Sequence, residues 1–301
     1  MGEIAYFADN ILSRNNLKNT KKHPGSVVDN LPYMTNKRMQ DPEHLRSVAY
    51  SDAGKLNARI AFWQHYGEPR NTAFKRYFDR FDAPPVANVL DLGCGPANFW
   101  QWGLENDRVP QNWTITLTDL SSGMIEEAER NVSGFDREFM FDTADVCELQ
   151  YDDASFDMVT ANYMLYHASS QSQALAEISR VLKPGGHLYA TTNSINHITE
   201  FLDLQKEFAI DGSQQENVGL AHSTFTLENG QAMIEKHFSN IDIVWDNSIC
   251  KATDPQIVIN YAMSMDAILD EQRLDAAIRD HIDRNGHFAV TRSSGMFIAQ
   301  K

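Results

Sequence analysis

Residues 89–97 read Val89-Leu90-Asp91-Leu92-Gly93-Cys94-Gly95-Pro96-Ala97, and this stretch decides the fold. A short apolar run from Val86 to Leu92 carries an acid near its end and passes into two glycines one residue apart. Phe99, Trp100 and Leu104 follow in a helix-compatible segment. Strand, tight glycine turn and helix N-terminus, in that order, are how α/β folds bring a ligand onto bare backbone. Gly93 and Gly95 supply positive φ and close approach without a Cβ. Asp91 falls at the carboxyl end of the strand, the edge on which open α/β sheets bind ligands. A Gly-x-Gly alone suits many ligands, so the choice rests on its surroundings.

From Pro84 onward, strand and helix patterns alternate, which predicts a parallel sheet covered on both faces. The expected strands are Val86–Leu92, Thr114–Thr118, Glu138–Phe141, Phe156–Ala161 and His187–Thr192. Between them, Met124, Ile125, Ala128 and Val132 recur at helical spacing behind Ser121 and Ser122, which read as caps. Leu175, Ile178 and Leu182 do the same before Lys183-Pro184-Gly185-Gly186, a helix stop and turn into the fifth strand. Asn240–Trp245 and Phe288–Ala299 suit a final antiparallel pair at a sheet edge.

Three further pieces flank this sheet. Residues 1–80 read as a helical, aromatic N-terminal lid, and segments 194–224 and 250–285 interrupt the 81–301 domain as cap insertions over the ligand edge. The aromatics from Phe62 to Phe78 read first as helix packing.

Composition narrows the function classes. The 301 residues are 42% hydrophobic and 22% charged, an ordinary globular balance. A formal net charge of −15 disfavours a polyanionic partner, because nucleic-acid affinity comes mainly from basic patches on phosphates. The basic cluster from Arg14 to His23 reads as a solvated segment. Cys94, Cys147 and Cys250 are too few and too scattered for a disulfide framework or a zinc site. No metal is expected. No apolar run approaches the roughly 18 residues of a membrane span, and the first residues lack a signal-peptide pattern. A cytoplasmic location is the expectation; the oligomeric state stays open.

Chemistry enters with the acids. Asp119 ends Thr114-Ile-Thr-Leu-Thr-Asp119, 22 residues beyond the glycine turn, where nucleotide-binding α/β folds place an acid on the ribose hydroxyls. Asp145, in Thr143-Ala-Asp-Val146, follows the third strand and is positioned to accept from an adenine amino group, with Val146 adding backbone contacts. A dinucleotide fits less well. Its pyrophosphate would sit on the helix N-terminus close to the Asp91 carboxylate, whereas a sulfonium ligand brings a cation and no phosphate.

This ordered series resembles the class I S-adenosylmethionine-dependent methyltransferases over residues 84–194. That family's acid-x-Gly-x-Gly-x-Gly pattern falls on Asp91, Gly93 and Gly95, with Ala97 at the third glycine. Its ribose acid, adenine acid and Leu-Lys-Pro-Gly-Gly turn fall on Asp119, Asp145 and Leu182–Gly186. The segments Asp119–Met124 and Gly295–Ala299 look like the small-molecule branch, similar to quinone-biosynthesis and malonyl-carrier methyltransferases. The resemblance implies a Rossmann-like seven-stranded, mostly parallel sheet with an antiparallel last strand. It implies S-adenosylmethionine as cofactor and S-adenosylhomocysteine as product. Cys94, Leu120, Met124 and Asn162 join the cofactor set, with Tyr50 and Arg59 from the N-terminal region. Arg59 would pair the methionyl carboxylate; a surface ion pair is the open alternative.

No Asn-Pro-Pro-Tyr follows the fourth strand; Asn162-Tyr163-Met164-Leu165 stands there, moving the acceptor away from nucleic acids. Tyr163, Tyr166 and His167 are the catalytic candidates, with His167 taking a proton from a hydroxyl or amine. His197 and His222 compete as bases. The expected reaction is in-line methyl transfer to oxygen or nitrogen of a small metabolite. Carbon or carboxylate methylation, a protein acceptor, and a binding module without turnover remain as alternatives.

Overall fold

The computed structural model describes residues 34–35, 37–49, 54–67, 70–210, 219–220, 224–265 and 268–301. Tyr50, His222 and the Arg14–His23 cluster lie outside these residues.

The glycine stretch nucleates the expected unit. Strand β1 (Ala87–Leu92) is buried at all positions but Asn88, the near-continuous apolar pattern of a strand covered on both faces. It continues through β2 (Trp113–Asp119), β3 (Phe139–Thr143), β4 (Phe156–Asn162), β5 (Leu182–Asn193), β6 (Ser239–Ala252) and β7 (Phe288–Gln300). These form one seven-stranded sheet in the order β3-β2-β1-β4-β5-β7-β6. The pairs among β3, β2, β1, β4 and β5 are parallel, and β7 runs antiparallel to both β5 and β6. The order reverses beside β1, so β1 and β4 diverge at the edge where ligands enter such sheets.

Two boundaries differ from the sequence reading by more than two residues. Strand β5 begins at Leu182, which pairs with Phe156 ahead of an irregularity, so Lys183–Gly186 is a bulge within the strand. Lys183 Nζ holds it to Asp157 at 2.7 Å, and Gly185 adopts φ +81°. Strand β6 runs on to Ala252, seven residues beyond the expected end. The polar run Asp246-Asn247-Ser248 concealed the continuation, because there the strand pairs with β7 beyond the edge of β5.

Helices α1 (Gly54–Tyr66) and α2 (Arg70–Phe78) precede the sheet, and α3 (Asn98–Glu105) follows the glycine turn. Phe99 of α3 stacks on Phe78 at 4.4 Å and meets Phe74 edge-on at 5.3 Å, which fixes α2 against α3. Helix α4 (Ser122–Val132) buries Met124, Ala128 and Val132 along one stripe. Ser121 occupies its N-cap, without a side-chain capping bond. Helix α5 (Gln171–Val181) is capped by Ser170, whose hydroxyl accepts from the Gln173 amide.

A second core stands over the ligand edge. It combines Phe62 of α1 with Phe201, Leu204 and Phe208 of α6 (Thr199–Phe208). A short α7 (Gly230–Ile234) follows α6 and packs with the sheet core instead. From α8 (Pro255–Met263) and α9 (Glu271–Asn285) come Val258, Tyr261, Leu274 and Ile278. The overhanging ends of β6 and β7 add Cys250, Ala252, Phe288 and Val290. Phe62 touches Tyr261 and Phe201 with ring centroids 5.1 and 5.5 Å apart. The three flanking pieces of sequence thus share one apolar cluster. No helix among the described residues is long and apolar enough to cross a membrane.

Candidate active site

Between the carboxyl edge of the sheet and the second core lies a cavity of about 490 Å³. One end is built by the glycine turn. Gly93 and Gly95 take φ +65° and +52°, and Ala97 is also left-handed at φ +56° while fully buried. The third position of the turn is therefore a conformational requirement as well as a packing one. Ala meets it with some strain. The two glycines differ in use. A Cβ on Gly93 would lie 2.7 Å from Met164 Cβ, so its missing side chain makes room for Met164. A Cβ on Gly95 would meet only Leu56 at 3.7 Å, leaving that backbone open for a ligand.

Asp119, at the end of β2, lines this cavity and also holds the turn. Its Oδ2 accepts from the Gly95 amide at 3.0 Å and its Oδ1 from the Ser121 amide at 2.9 Å. Burial raises its pKa, opposed by the amides of Ser121, Gly95 and Leu120. Asp145 accepts through Oδ1 from the Cys147 amide at 2.8 Å, which orients its carboxylate into the same end. Leu120, Met124 and Val146 supply the apolar walls there.

Asp91 does not line the cavity. It lies 2% exposed beneath Leu92 and Gly93, with Thr160 Oγ1 donating to its Oδ1 at 2.5 Å. Burial pushes its pKa up to about 7, and the Asp119 charge adds to that. The Thr160 hydroxyl works against the rise. The nearby Trp100 indole also lowers it, although Nε1 meets no acceptor in hydrogen-bond geometry. Cys94 lines the cavity, but burial and then Asp91 and Asp119 raise its thiol pKa well above the ordinary value, so it stays an unreactive thiol.

Beyond β4, Asn162 accepts from Thr191 Oγ1 at 3.2 Å, while its buried Nδ2 has no partner. Tyr163 follows with φ +55°, held by its amide to Thr191, and this bend carries Met164 over Gly93. Strain at such a position is characteristic of ligand-binding turns. His167 Nδ1 lies 2.8 Å from the Met39 carbonyl, so it donates, and the neutral ring carries its lone pair on Nε2. Tyr166 meets that ring edge-on at 4.5 Å. Met39 packs with Leu45 against Leu120, which ties the N-terminal region to the Asp119 end. Arg59 of α1 also lines the cavity, its Nε 3.4 Å from the Lys55 carbonyl.

At the far end the sequence offered one candidate, His197, and the structure sets others beside it. His197 Nδ1 accepts from the Ser293 amide at 3.1 Å, so the neutral ring carries its proton on Nε2 and acts there as a donor. His197, read from the sequence as a competing base, lines the cavity in this tautomer. Its ring stacks on Trp63 at 5.4 Å. The Arg292 guanidinium sits 5.8 Å from the centroid of the Trp63 ring and 2.7 Å from Asp246. Burial pulls its pKa down, but Tyr163 and Asp246 outweigh this and the guanidinium remains cationic. Asn193 and Gln205 complete this end. The sequence signal for it was slight: Arg292 is a lone cation inside the β-rich final strand. Of the aromatics read as packing, Phe62 and Phe78 pack, while Trp63, Phe74 and Tyr77 also face the cavity.

The cavity suits S-adenosylmethionine at its glycine end. Open backbone at Gly95, carboxylates at Asp119 and Asp145 and an unpartnered Asn162 amide offer what a nucleoside with an amino-acid tail needs.

Comparison with known proteins agrees. Residues 90–190 match a family model described as "Methyltransferase domain". Demethylmenaquinone methyltransferase of Lysinibacillus sphaericus is 30% identical over 166 residues, covering 54% of this chain and 67% of the relative. Malonyl-[acyl-carrier protein] O-methyltransferase of Legionella pneumophila is 30% identical over 147 residues, 43% of this chain and 50% of the relative. The chain spans 50–62% of the length of several such curated relatives. Among solved structures, a putative methyltransferase from Bacillus halodurans superposes with a TM-score of 0.55 at 14% identity, covering 76% of this chain and 99% of its own. A Haemonchus contortus phosphoethanolamine N-methyltransferase, in complex with phosphomonomethylethanolamine and S-adenosylhomocysteine, gives 0.53 at 18% identity, covering 87% of this chain and 60% of its own. These likenesses join the β3-β2-β1-β4-β5-β7-β6 sheet and the acids on β1, β2 and after β3, and on that ground the chain belongs to the S-adenosylmethionine-dependent methyltransferases.

Proposed function

We propose that this chain transfers the methyl group of S-adenosylmethionine to an oxygen or nitrogen of a small-molecule acceptor. The observation that supports it best is the single cavity: its glycine end suits the cofactor, and its other end is an aromatic and polar pocket under the same roof. Bound S-adenosylmethionine supplies an electrophilic methyl on its sulfonium sulfur and leaves as S-adenosylhomocysteine. The protein's share is binding, alignment and exclusion of water.

In this reading Asp119 accepts from the ribose hydroxyls with the lone pairs that the Gly95 and Ser121 amides do not use. Asp145 and the Val146 backbone take the adenine edge, and Arg59 takes the methionyl carboxylate. Gly93, Cys94, Leu120, Met124 and Asn162 shape the remainder, and Tyr50 is assigned with Arg59. Buried Asp91 acts on the amino-acid tail through the turn above it. His167 takes the acceptor's proton at Nε2, with Tyr163 and Tyr166 holding the ring and the acceptor in place. Residues 1–80, 194–224 and 250–285 form the enclosure. The proposal includes a cytoplasmic setting and no nucleic-acid partner, in keeping with the net charge of −15.

The test is tritiated methyl transfer from S-adenosylmethionine into a metabolite extract. Label on a small molecule through oxygen or nitrogen is the expected result. Label on carbon replaces the acceptor atom, and label released by mild base, as from a methyl ester, makes the acceptor oxygen that of a carboxylate; both keep the scaffold. Cofactor binding by calorimetry with no label in any fraction overturns turnover altogether.

A further inference from the structure

Among the described residues nothing in hydrogen-bond geometry meets Asn193 Oδ1, Ser294 Oγ or Gln205 Nε2. These side chains line the far end of the cavity, and the residues are 8%, 1% and 2% exposed. Buried polar side chains are overwhelmingly paired, so a set of open ones around one cavity is an exception that a ligand accounts for.

The set converges on one place. Asn193 of β5 and Ser294 of β7 are direct partners in the antiparallel ladder. Directly opposed residues carry their side chains on the same face, with Cβ atoms about 5 Å apart. Gln205 reaches the same cavity from α6. Other polar groups there are already engaged. Ser264 Oγ donates to the Tyr261 carbonyl at 2.6 Å. Arg292, two residues before Ser294 and on the same face of β7, is paired with Asp246 at 2.7 Å. The open groups are therefore neutral, and Ile198, Leu202 and Met265 set apolar walls beside them.

The open atoms are an amide oxygen that accepts, an amide nitrogen that donates and a hydroxyl that does either. A single ligand group that satisfies them must both donate and accept. It must also be neutral, because a buried charge without a counter-charge is costly. A hydroxyl or a primary carboxamide does this; a carboxylate only accepts and an ammonium only donates. Strands β5 and β7 stand two and three places from β1 in the sheet order, on the side away from β2 and β3. At about 4.8 Å per strand that is roughly 10 and 14 Å from the glycine turn, opposite to the direction of Asp119 and Asp145. The group served is then the acceptor's and not the nucleoside's.

We infer that the methyl acceptor is a largely apolar molecule anchored by a neutral hydroxyl or carboxamide, which donates to Asn193 and accepts from Gln205, with Ser294 completing the set. The anchor is separate from the atom that is methylated beside His167. An analogue without it leaves the buried groups open, which is how a polar site rejects an apolar isostere. The inference rests on the reading of the cavity as a methyl-transfer site, but its test reads binding and not turnover.

The experiment loads the full chain with S-adenosylhomocysteine and follows benzyl alcohol, benzamide, ethylbenzene and benzoate by calorimetry. Benzyl alcohol or benzamide should bind at least about tenfold more tightly than ethylbenzene and benzoate, and the better of the two identifies the group. The preference should shrink in Ser294→Ala and disappear in Asn193→Leu and Gln205→Met. Cofactor affinity and melting temperature should not fall in Ser294→Ala or Gln205→Met, because an unpartnered buried group has no bond to lose. Tightest binding of ethylbenzene or benzoate, or no measurable binding of any probe, overturns the inference. So does a preference that survives Gln205→Met. A lowered melting temperature in Ser294→Ala or Gln205→Met overturns it by making these groups part of the fold, and a loss of cofactor affinity by assigning them to the cofactor. If Asn193→Leu does not fold, Gln205→Met and the wild-type order of the probes decide. Absence of methyl transfer with the preference intact removes the catalytic reading alone and leaves a subsite for a neutral polar ligand.

Discussion

The amide of Gly95 donates to Asp119 Oδ2 at 3.0 Å, joining the loop after β1 to the end of β2. One carboxylate thereby shapes the turn and faces the cavity. Asp119→Ala should weaken S-adenosylhomocysteine binding by roughly 1–3 kcal/mol, about 5- to 150-fold, the usual cost of unpairing a charged hydrogen bond. Calorimetry giving unchanged affinity would remove Asp119 from the ribose.

Asp91 sets a pH dependence of stability. Its pKa in the fold is about 7 against an ordinary 3.8. Between those values the folded chain keeps a proton that the unfolded chain has released, so this group's contribution falls as pH rises from about 4 to 7. At about 1.4 kcal/mol per unit, it opposes folding by roughly 2–4 kcal/mol at pH 8. Asp91→Asn should therefore melt higher than the wild type at pH 8 and close to it at pH 4. A melting-temperature difference that is constant across pH 4.5–8 contradicts this.

Gly93→Ala combines a left-handed φ of +65° with a Cβ only 2.7 Å from Met164 Cβ. Strain and overpacking together should cost about 2–4 kcal/mol in urea unfolding. Combining it with Met164→Gly should recover the clash component, so the double variant is less destabilised than the sum of the singles. Simple additivity would mean that the two side chains do not compete for one space.

For His167, the tautomer fixed by Met39 places the basic nitrogen at Nε2. His167→Ala should lower kcat by about 10²-fold or more and abolish the acid limb of the rate profile, as loss of a proton acceptor does. His167→Asn would keep a donor toward Met39 without the base and should be as slow. An undiminished rate across pH in either variant leaves His167 as a tether for the N-terminal region only.

Much of the cofactor end was readable from residue order because its chemistry is local. Asp91, Gly93, Gly95, Asp119 and Asp145 each fall at a strand end, and a strand end is visible where an apolar run stops. What order does not carry is which side of the backbone a group reaches. Asp91 reads as a cavity residue and lies beneath the floor, because the peptide after it turns over its carboxyl. Apart from His197, the far end of the cavity escaped for a different reason. Trp63, His197, Gln205 and Arg292 come from three distant segments, and their neighbourhood exists only after β7 pairs with β5 and β6. Likewise Asp246-Asn247-Ser248 reads as a loop, though its partner strand makes it the middle of β6.

The Phe62 cluster has a consequence for how this chain is made. Its members span α1 to β7, so the roof over the cavity is assembled only after Phe288 and Val290 have left the ribosome. Five parallel strands carrying the nucleoside-binding end precede them in synthesis. A growing chain thus acquires the means to grip a cofactor well before it can shut water out. Closing contacts across more than two hundred residues is also a slow kind of folding step. The enclosure cannot be excised as a module, because no contiguous piece of sequence contains it.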